Sequence, residues 1–426
     1  MSPPVSCWWS VGLVARRRDD VCHQCRTAIP CLRAKPLQQD GPRRYTPADE
    51  DASAGRARMS AAAIPSLPAD VETPALVVDL DVVEANATRL ASALAARGVA
   101  LRPHVKTHKS VALARIQLDH GAAGLTVGTL GEAEVFVAAG ITDLFLAYPL
   151  WAVGAKAGRL RALLEVSDLS IGIDSVAGAE RLAAAAAGGA RPLRVLVEID
   201  SGGRRSGVGD PDTALAIART ALALGLDVVG VFSHAGHGYA GPEARSGAAR
   251  DEVSSLSAAA TALRDAGIDC RVVSAGSTPT MIEAATGMVT EIRAGTYLLG
   301  DRQQLALGAI PPDGIALHVA ATVVSTAVAG QVVTDAGAKT LTKDRALYLE
   351  GHGLLPAYPD SILERLNDYH GIVRIPSGTA APHLGEVLAI APNHVCPVVD
   401  LFDSFIVTRG GDALGRWPVD ARGRSG

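Results

Sequence analysis

Aromatic side chains are scarce in this chain: its 426 residues include five Phe, seven Tyr and four Trp. A core of this size must therefore be assembled from Val, Leu, Ile and Ala. Charge of one sign is also lacking. The chain carries 40 Lys and Arg against 44 Asp and Glu, for a formal net charge of −4. That balance excludes the concentrated basic face that nucleic acid requires. No uncharged apolar run reaches the roughly 18 residues needed to span a bilayer. The first apolar stretch, Val5 to Val14, is short, with its arginines on the wrong side for a signal peptide. These absences point to small-molecule chemistry in the cytoplasm, with no nucleic-acid and no membrane partner.

Cysteine is thinly and unevenly used. Cys7, Cys22, Cys25 and Cys31 crowd the first 31 residues, and only Cys270 and Cys396 follow. Two lone cysteines in a long body argue for a reducing compartment. Cys22-His23-Gln24-Cys25 resembles half a zinc site, but no second pair completes it. The segment Met1 to Arg58 is rich in Arg and Pro, lacks periodicity and has ten basic against six acidic residues. It is expected to be a disordered extension or a mis-assigned start, with the natural chain beginning near Met59.

The body has a clear rhythm. Eight β-branched runs, Val99 to Val105, Gly124 to Gly128, Asp143 to Ala147, Leu169 to Ile173, Leu193 to Ile199, Asp227 to Ser233, Arg271 to Ala275 and Val289 to Arg293, alternate with Ala/Leu-rich stretches of helical period. Thr107 to His120, with Thr107 as N-cap, Leu130 to Ala139 and Asp212 to Ala223 read as helices. Eight units predict an α/β fold, a (β/α)8 barrel over residues 81–300, in preference to a doubly wound sheet. After Gly300 the helices disappear, and Ala316 to Val328, Gln331 to Thr334, Arg345 to Leu349, Gly371 to Ile375, Glu386 to Ile390 and Phe402 to Thr408 read as strands. They predict an all-β domain over residues 301–412, joined by an N-terminal strand within residues 71–80.

A barrel carries its active site at the C-terminal ends of its strands, and those ends are polar here. His104, Lys106 and His108 follow the first strand; a lysine beside imidazoles at the end of an apolar run can have its pKa lowered and act as an amine nucleophile. Arg205 follows the fifth strand and His234 ends the sixth. The seventh ends in Ser274-Ala275-Gly276-Ser277-Thr278-Pro279 and the eighth in Arg293-Ala294-Gly295-Thr296-Tyr297. Glycines and hydroxyls at two neighbouring strand-to-helix turns allow Ser274, Gly276, Ser277, Gly295, Thr296 and Tyr297 to cradle one phosphate. With a lysine on strand one, such a cradle describes pyridoxal 5'-phosphate (PLP). Further on, His394 and Cys396 are two apart, so an extended segment would point both at one ion. An imidazole and a thiolate suit zinc, with manganese as the alternative ion.

Thr73-Pro74-Ala75-Leu76-Val77-Val78-Asp79-Leu80-Asp81, Arg102-Pro103-His104-Val105-Lys106-Thr107-His108-Lys109, the Ser274 to Pro279 run and Pro392-Asn393-His394-Val395-Cys396-Pro397 resemble the D-serine dehydratase and D-threonine aldolase family, of the alanine-racemase-like fold group. The resemblance spans Thr73 to about Arg409. It implies a homodimer with PLP on Lys106, Arg205 and His234 near the cofactor ring, and a divalent metal at His394 and Cys396. Relatives with dehydratase activity resemble this His-x-Cys pair, whereas aldolase members tend to show His and Asp there. The expected reaction is therefore PLP- and zinc-dependent dehydration of a D-β-hydroxy amino acid, D-serine to pyruvate and ammonia. The alternatives are retro-aldol cleavage to glycine and an aldehyde, and a non-catalytic PLP-binding protein, which would lack the second domain and the His-x-Cys pair. Around Leu366 to Gly371, Tyr369 interrupts the acidic pair that relatives carry before His-Gly, which leaves room for a larger substrate such as threo-3-hydroxyaspartate. His352 and His370 are further candidates near the site.

Overall fold

A computed structural model describes residues 62–426. The expectations for residues 1–58, the Cys22 to Cys25 pair among them, lie outside the described residues.

The first strand, β1 (Ala75–Asp79), leads directly into the helix Leu80–Ala95, whose start is capped by the Asp79 carboxylate accepting from Asp81 N. Eight short strands follow: β2 (Ala100–Leu101), β3 (Leu125–Val127), β4 (Asp143–Pro149), β5 (Asp168–Ile173), β6 (Arg194–Ile199), β7 (Asp227–Ser233), β8 (Val272–Ala275) and β9 (Glu291–Ile292). They form one parallel sheet in the order β2-β9-β8-β7-β6-β5-β4-β3. Its outer strands meet: Ala123 N donates to Leu101 O (2.8 Å), Thr126 N donates to Pro103 O (2.8 Å), and His104 bridges Thr126 in parallel. The sheet thus curls into the expected barrel, and its seam runs beside the strand that delivers Lys106.

Local sequence explains the helices between the strands. Thr129 Oγ1 accepts from Glu132 N (3.0 Å) to start Leu130–Ala138, and Gly140, at φ 82°, ends the turn that follows. Asp210 and Pro211 start Pro211–Ala223 in the same manner. The helix expected from Thr107 begins later. His104 instead caps a 3-10 turn, Val105–Thr107, and the helix runs over Val111–Asp119 after Ser110. Lys109, at φ 51°, breaks the continuity, and its buried ammonium pairs with Asp400 (2.8 Å) and Glu132 (3.6 Å).

The remaining strands are β10 (Leu317–Ser325), β11 (Gln331–Thr334), β12 (Gly353–Leu354), β13 (Ile362–Leu366), β14 (Gly371–Arg374), β15 (Val387–Pro392), β16 (Ser404–Arg409) and β17 (Asp412–Pro418). They form a mainly antiparallel sheet, β13-β14-β11-β10-β1-β16-β17, with β15 joining β10 to β12. Strand β1 lies in it, antiparallel to β10 and parallel to β16, with Leu76 opposite both Val319 and Phe405. The strand expected at Arg345 to Leu349 does not form; that stretch is a loop. Strands β13 and β17 escaped the sequence reading because β13 is interrupted by Glu364 and Arg365, and β17 is almost wholly exposed, without an apolar face.

Two of the five Phe residues fill the barrel interior. Phe145 and Phe232 meet edge to face, 5.1 Å between centroids, beside Leu196 and Val229. The Arg293 guanidinium lies over both rings, at 5.7 and 5.3 Å. Among the described residues no helix is long and apolar enough to cross a membrane. Because Phe232 is nearly fully buried, Phe232→Ala should lower stability by about 3–5 kcal/mol through lost transfer energy and an unfilled cavity. Urea denaturation would measure this as a lower midpoint at unchanged slope, and a shift worth less than 1 kcal/mol would show that the ring is not a packing anchor.

Candidate active site

The polar strand ends surround a cavity of about 260 Å³ at the top of the barrel. His104, Lys106, Arg205, His234, Gly276, Ser277, Gly295 and Thr296 all line it. Lys106 sits in the 3-10 turn after β2, and its backbone N–H points at His104 Nδ1 (3.4 Å). The two imidazoles are held neutral. Burial first, and then the positive charge of Lys106, push His234 down to about 3 and His104 well below its ordinary value. Tyr148, Tyr239, Thr278 and Arg293 also line the cavity and were not singled out as site residues. Arg293 carried a legible signal, standing directly before Ala294-Gly295 at the end of the last barrel strand.

Two expected cofactor contacts lie elsewhere. Ser274 is buried one layer down, donating to Glu291 Oε1 (2.6 Å) and accepting from Arg293 (2.6 Å). Tyr297 turns its ring toward the helix Leu80–Ala95, and its hydroxyl accepts from Gln117 (3.0 Å). Neither lines the cavity, because each hydroxyl already has a buried partner. The backbone cradle is also narrower than expected. Gly276 N donates to the buried Glu252 (2.9 Å) and Ser277 N to Thr280 Oγ1 (3.3 Å). Among the described residues the N–H groups of Gly295 and Thr296 have no such partner, and both residues line the cavity with Ser277. Gly295 is also required by packing: a Cβ there would stand 2.6 Å from His104 O and 2.9 Å from Thr107 Oγ1. A lysine, the glycine and hydroxyl residues of two strand-end turns and imidazoles pushed toward neutrality around one cavity fit PLP.

A second cavity, of about 450 Å³, adjoins the first and shares Lys106, Arg205, His234, Tyr239 and Thr296 with it. Its other wall carries Asp344, Arg345, His394 and Cys396. Cys396 Sγ lies 3.3 Å from Thr107 Oγ1 and 3.8 Å from Thr296 Oγ1, directly beside the lysine turn. The His-x-Cys segment is not the extended stretch expected: His394 precedes a short helix, Val395–Val399, and Cys396 stands in its first turn. Asp301 fixes this turn by accepting from Val395 N (3.1 Å) and Gln304 N (2.8 Å).

The pair is electrostatically coupled. Burial would raise the Cys396 thiol, but the neighbouring His394 outweighs it and the net shift is downward. Burial would lower His394, yet Cys396, Asp301 and Asp344 together raise it to about 10. Asp344 Oδ2 holds His394 Nδ1 at 2.6 Å, leaving Nε2 as the ring nitrogen for a metal. Among the described residues no group of three or more His, Cys, Asp or Glu forms a metal cage. The donor set is therefore an oriented imidazole and a thiol drawn toward thiolate, which fits zinc with its remaining positions open. His352 and His370 line neither cavity: His352 bonds through its backbone to Leu363 O (2.9 Å), and His370 is exposed between β13 and β14.

Comparison with known proteins agrees with this architecture. Residues 78–303 match the family model "Alanine racemase, N-terminal domain", and residues 316–408 match "Putative serine dehydratase domain". The chain is 38% identical over 372 residues to D-threo-3-hydroxyaspartate dehydratase from Delftia sp. (strain HT23), covering 82% of this chain and 97% of that one. It is 30% identical over 382 residues to D-serine dehydratase from Schizosaccharomyces pombe, covering 81% and 90%. The crystal structure of D-threonine aldolase from Filomicrobium marinum superposes with a TM-score of 0.78 at 33% identity, over 85% of this chain and 99% of that one. The Delftia enzyme has also been solved with a histidine replaced by alanine and, separately, with a cysteine two positions further on replaced, the latter in metal-free form; both match with a TM-score of 0.74 at 37% identity and cover 82% of this chain and, respectively, 95% and 98% of those. The chain belongs to the D-serine dehydratase and D-threonine aldolase family, on the alanine-racemase-like fold.

Proposed function

We propose that this protein is a PLP-dependent lyase that dehydrates a D-β-hydroxy amino acid with the help of zinc, D-serine to pyruvate and ammonia being the simplest case. The observation that carries this reading is that Lys106, His394 and Cys396 line one cavity. Lys106 would hold the cofactor, with Gly295, Thr296 and Ser277 at its phosphate and His104, His234 and Arg205 around its ring. His394 and Cys396 would hold the metal. When bound, the cofactor supplies an electron sink at Cα and the metal a Lewis acid for the β-oxygen.

The residues of the chain do the rest. Among the described residues Lys106 Nζ has no hydrogen-bond or ion-pair partner, and Lys106 lines both cavities, so it is the group placed to take the Cα proton. His104 and His234, held uncharged by burial and by Lys106, flank the ring site without adding positive charge. Thr107 and Thr296 steady the Cys396 sulfur, and Asp344 sets the orientation of His394. The arrangement of a His-x-Cys pair that resembles the dehydratase members favours loss of the β-hydroxyl over cleavage of the Cα–Cβ bond. A homodimer in a reducing cytoplasm is part of the same reading. Cys270 and Cys396 are free thiols, and Leu347, 93% exposed, presents an apolar surface two residues beyond the cavity-lining Arg345.

Purified enzyme given D-serine or D-threonine should form keto acid, and a chelator should suppress it; glycine as the product would establish the retro-aldol reaction instead, and no turnover would favour a PLP carrier. Lys106→Ala should lose the visible absorbance of the bound cofactor, whereas an unchanged spectrum would remove Lys106 from the site. Cys396→Asp should retain less zinc and dehydrate more slowly; wild-type zinc content and rate in that variant would count against the assigned metal pair.

A further inference from the structure

A third cavity, of about 290 Å³, shares no lining residue with the two described above. Tyr297 lines it, whereas Thr296 and Gly295, one and two positions earlier, line the cofactor cavity. The helix Leu80–Ala95 supplies one wall. Asn86, Leu90 and Ala93 recur at spacings of four and three residues and so share a helix face, and Arg97 continues the row just beyond the helix end. With Met281, Ile282, Ile310 and Pro311 opposite, the lining is chiefly apolar. The walls are tied to one another. The buried Asn86 donates Nδ2 to Leu298 O (3.0 Å) and to Gly314 O (2.9 Å), joining the helix to the segment after Tyr297 and to the loop that carries Ile310. The cavity is thus a formed feature of the fold, with a volume close to the roughly 300 Å³ at which small-molecule pockets begin.

Its solvent side is charged. Arg89 donates Nη1 to Asn86 Oδ1 (2.8 Å), and its Nη2 lies 4.0 Å from Asp313 Oδ1, with both side chains largely in water. Arg97 donates Nη1 to Ala93 O (2.8 Å), and among the described residues no carboxylate pairs with it. Two guanidinium groups against one carboxylate leave positive charge in excess over an apolar interior. A guanidinium matches a carboxylate through two parallel hydrogen bonds, and the walls below it favour a hydrocarbon body. We propose that this cavity is a second ligand site, which binds a small amphipathic monocarboxylate with its apolar body against Leu90, Ile282 and Ile310 and its head at Arg89 and Arg97. The site lies outside the lyase machinery and does not depend on that reading.

The test is calorimetric titration of the purified, full-length, PLP-loaded enzyme with octanoate, octylammonium and acetate. Octanoate should bind saturably, one per chain, with octylammonium and acetate at least about 10-fold weaker. Ala93→Trp, which fills the cavity from the helix face, should abolish octanoate binding. A variant carrying both Arg89→Gln and Arg97→Gln should weaken it by about 10-fold or more. Absence of saturable octanoate binding to the wild type would overturn the proposal, as would undiminished binding to the Ala93→Trp variant, which would place the ligand elsewhere. Octylammonium binding as tightly as octanoate would refute the carboxylate assignment. The cofactor absorbance and the melting transition report whether Ala93→Trp is folded; if it is not, the arginine variant decides, and unchanged octanoate affinity there refutes the site.

Discussion

The ion pair between the buried Lys109 and the half-buried Asp400 (2.8 Å) holds together the two parts from which the site is made. Lys109 ends the turn that carries Lys106, and Asp400 ends the short helix that carries Cys396. Glu132, 3.6 Å from the same ammonium, completes the set, and Lys109 O accepts from Ala421 N (2.9 Å). A lysine ammonium in such surroundings is tolerated only with its carboxylates in place, because a buried charge left uncompensated is costly. The left-handed backbone of Lys109 is sustained by these contacts. Because the pair is fixed, the hydroxyl of Thr107 meets the Cys396 sulfur, and the barrel and the second sheet open onto one cavity instead of two unrelated ones.

That arrangement divides labour by charge. Inside the barrel, burial and the nearby lysine push His104 and His234 toward the neutral form, and the charge of the buried Arg293 is favoured by the Glu291, Glu252 and Glu198 carboxylates while its guanidinium lies over two Phe rings. On the outer wall, the imidazole and sulfur of His394 and Cys396 polarise one another toward imidazolium and thiolate. A metal bound there would displace the proton that His394 holds, since ligands must shed their protons before they bind. Lys106 lies between these two environments and lines both cavities.

Much of this was legible in the sequence. The eight barrel strands follow from β-branched runs of the right period, and His104, Lys106, Gly276, Ser277, Gly295 and Thr296 follow from the rule that barrel chemistry gathers at strand ends. The misses have physical causes. Ser274 and Tyr297 sit in polar turns like their neighbours, but partners far away in sequence, Glu291 and Gln117, claim their hydroxyls. Asp344 and Arg345 were hidden because Arg345 to Leu349 has the composition of a strand, while the Asn393 and Arg302 side chains hold it as a loop. The helix start after Lys106 was misplaced because an ion pair with Asp400, 291 positions away, outweighs local capping.

Anomalous diffraction at the zinc edge, from crystals of the PLP-loaded enzyme supplied with zinc, tests the central claim most directly. The account predicts one strong peak bonded to His394 Nε2 and Cys396 Sγ, in the cavity that Lys106 Nζ enters. A peak bound elsewhere, or a His394 and Cys396 pair facing away from the lysine, would contradict it.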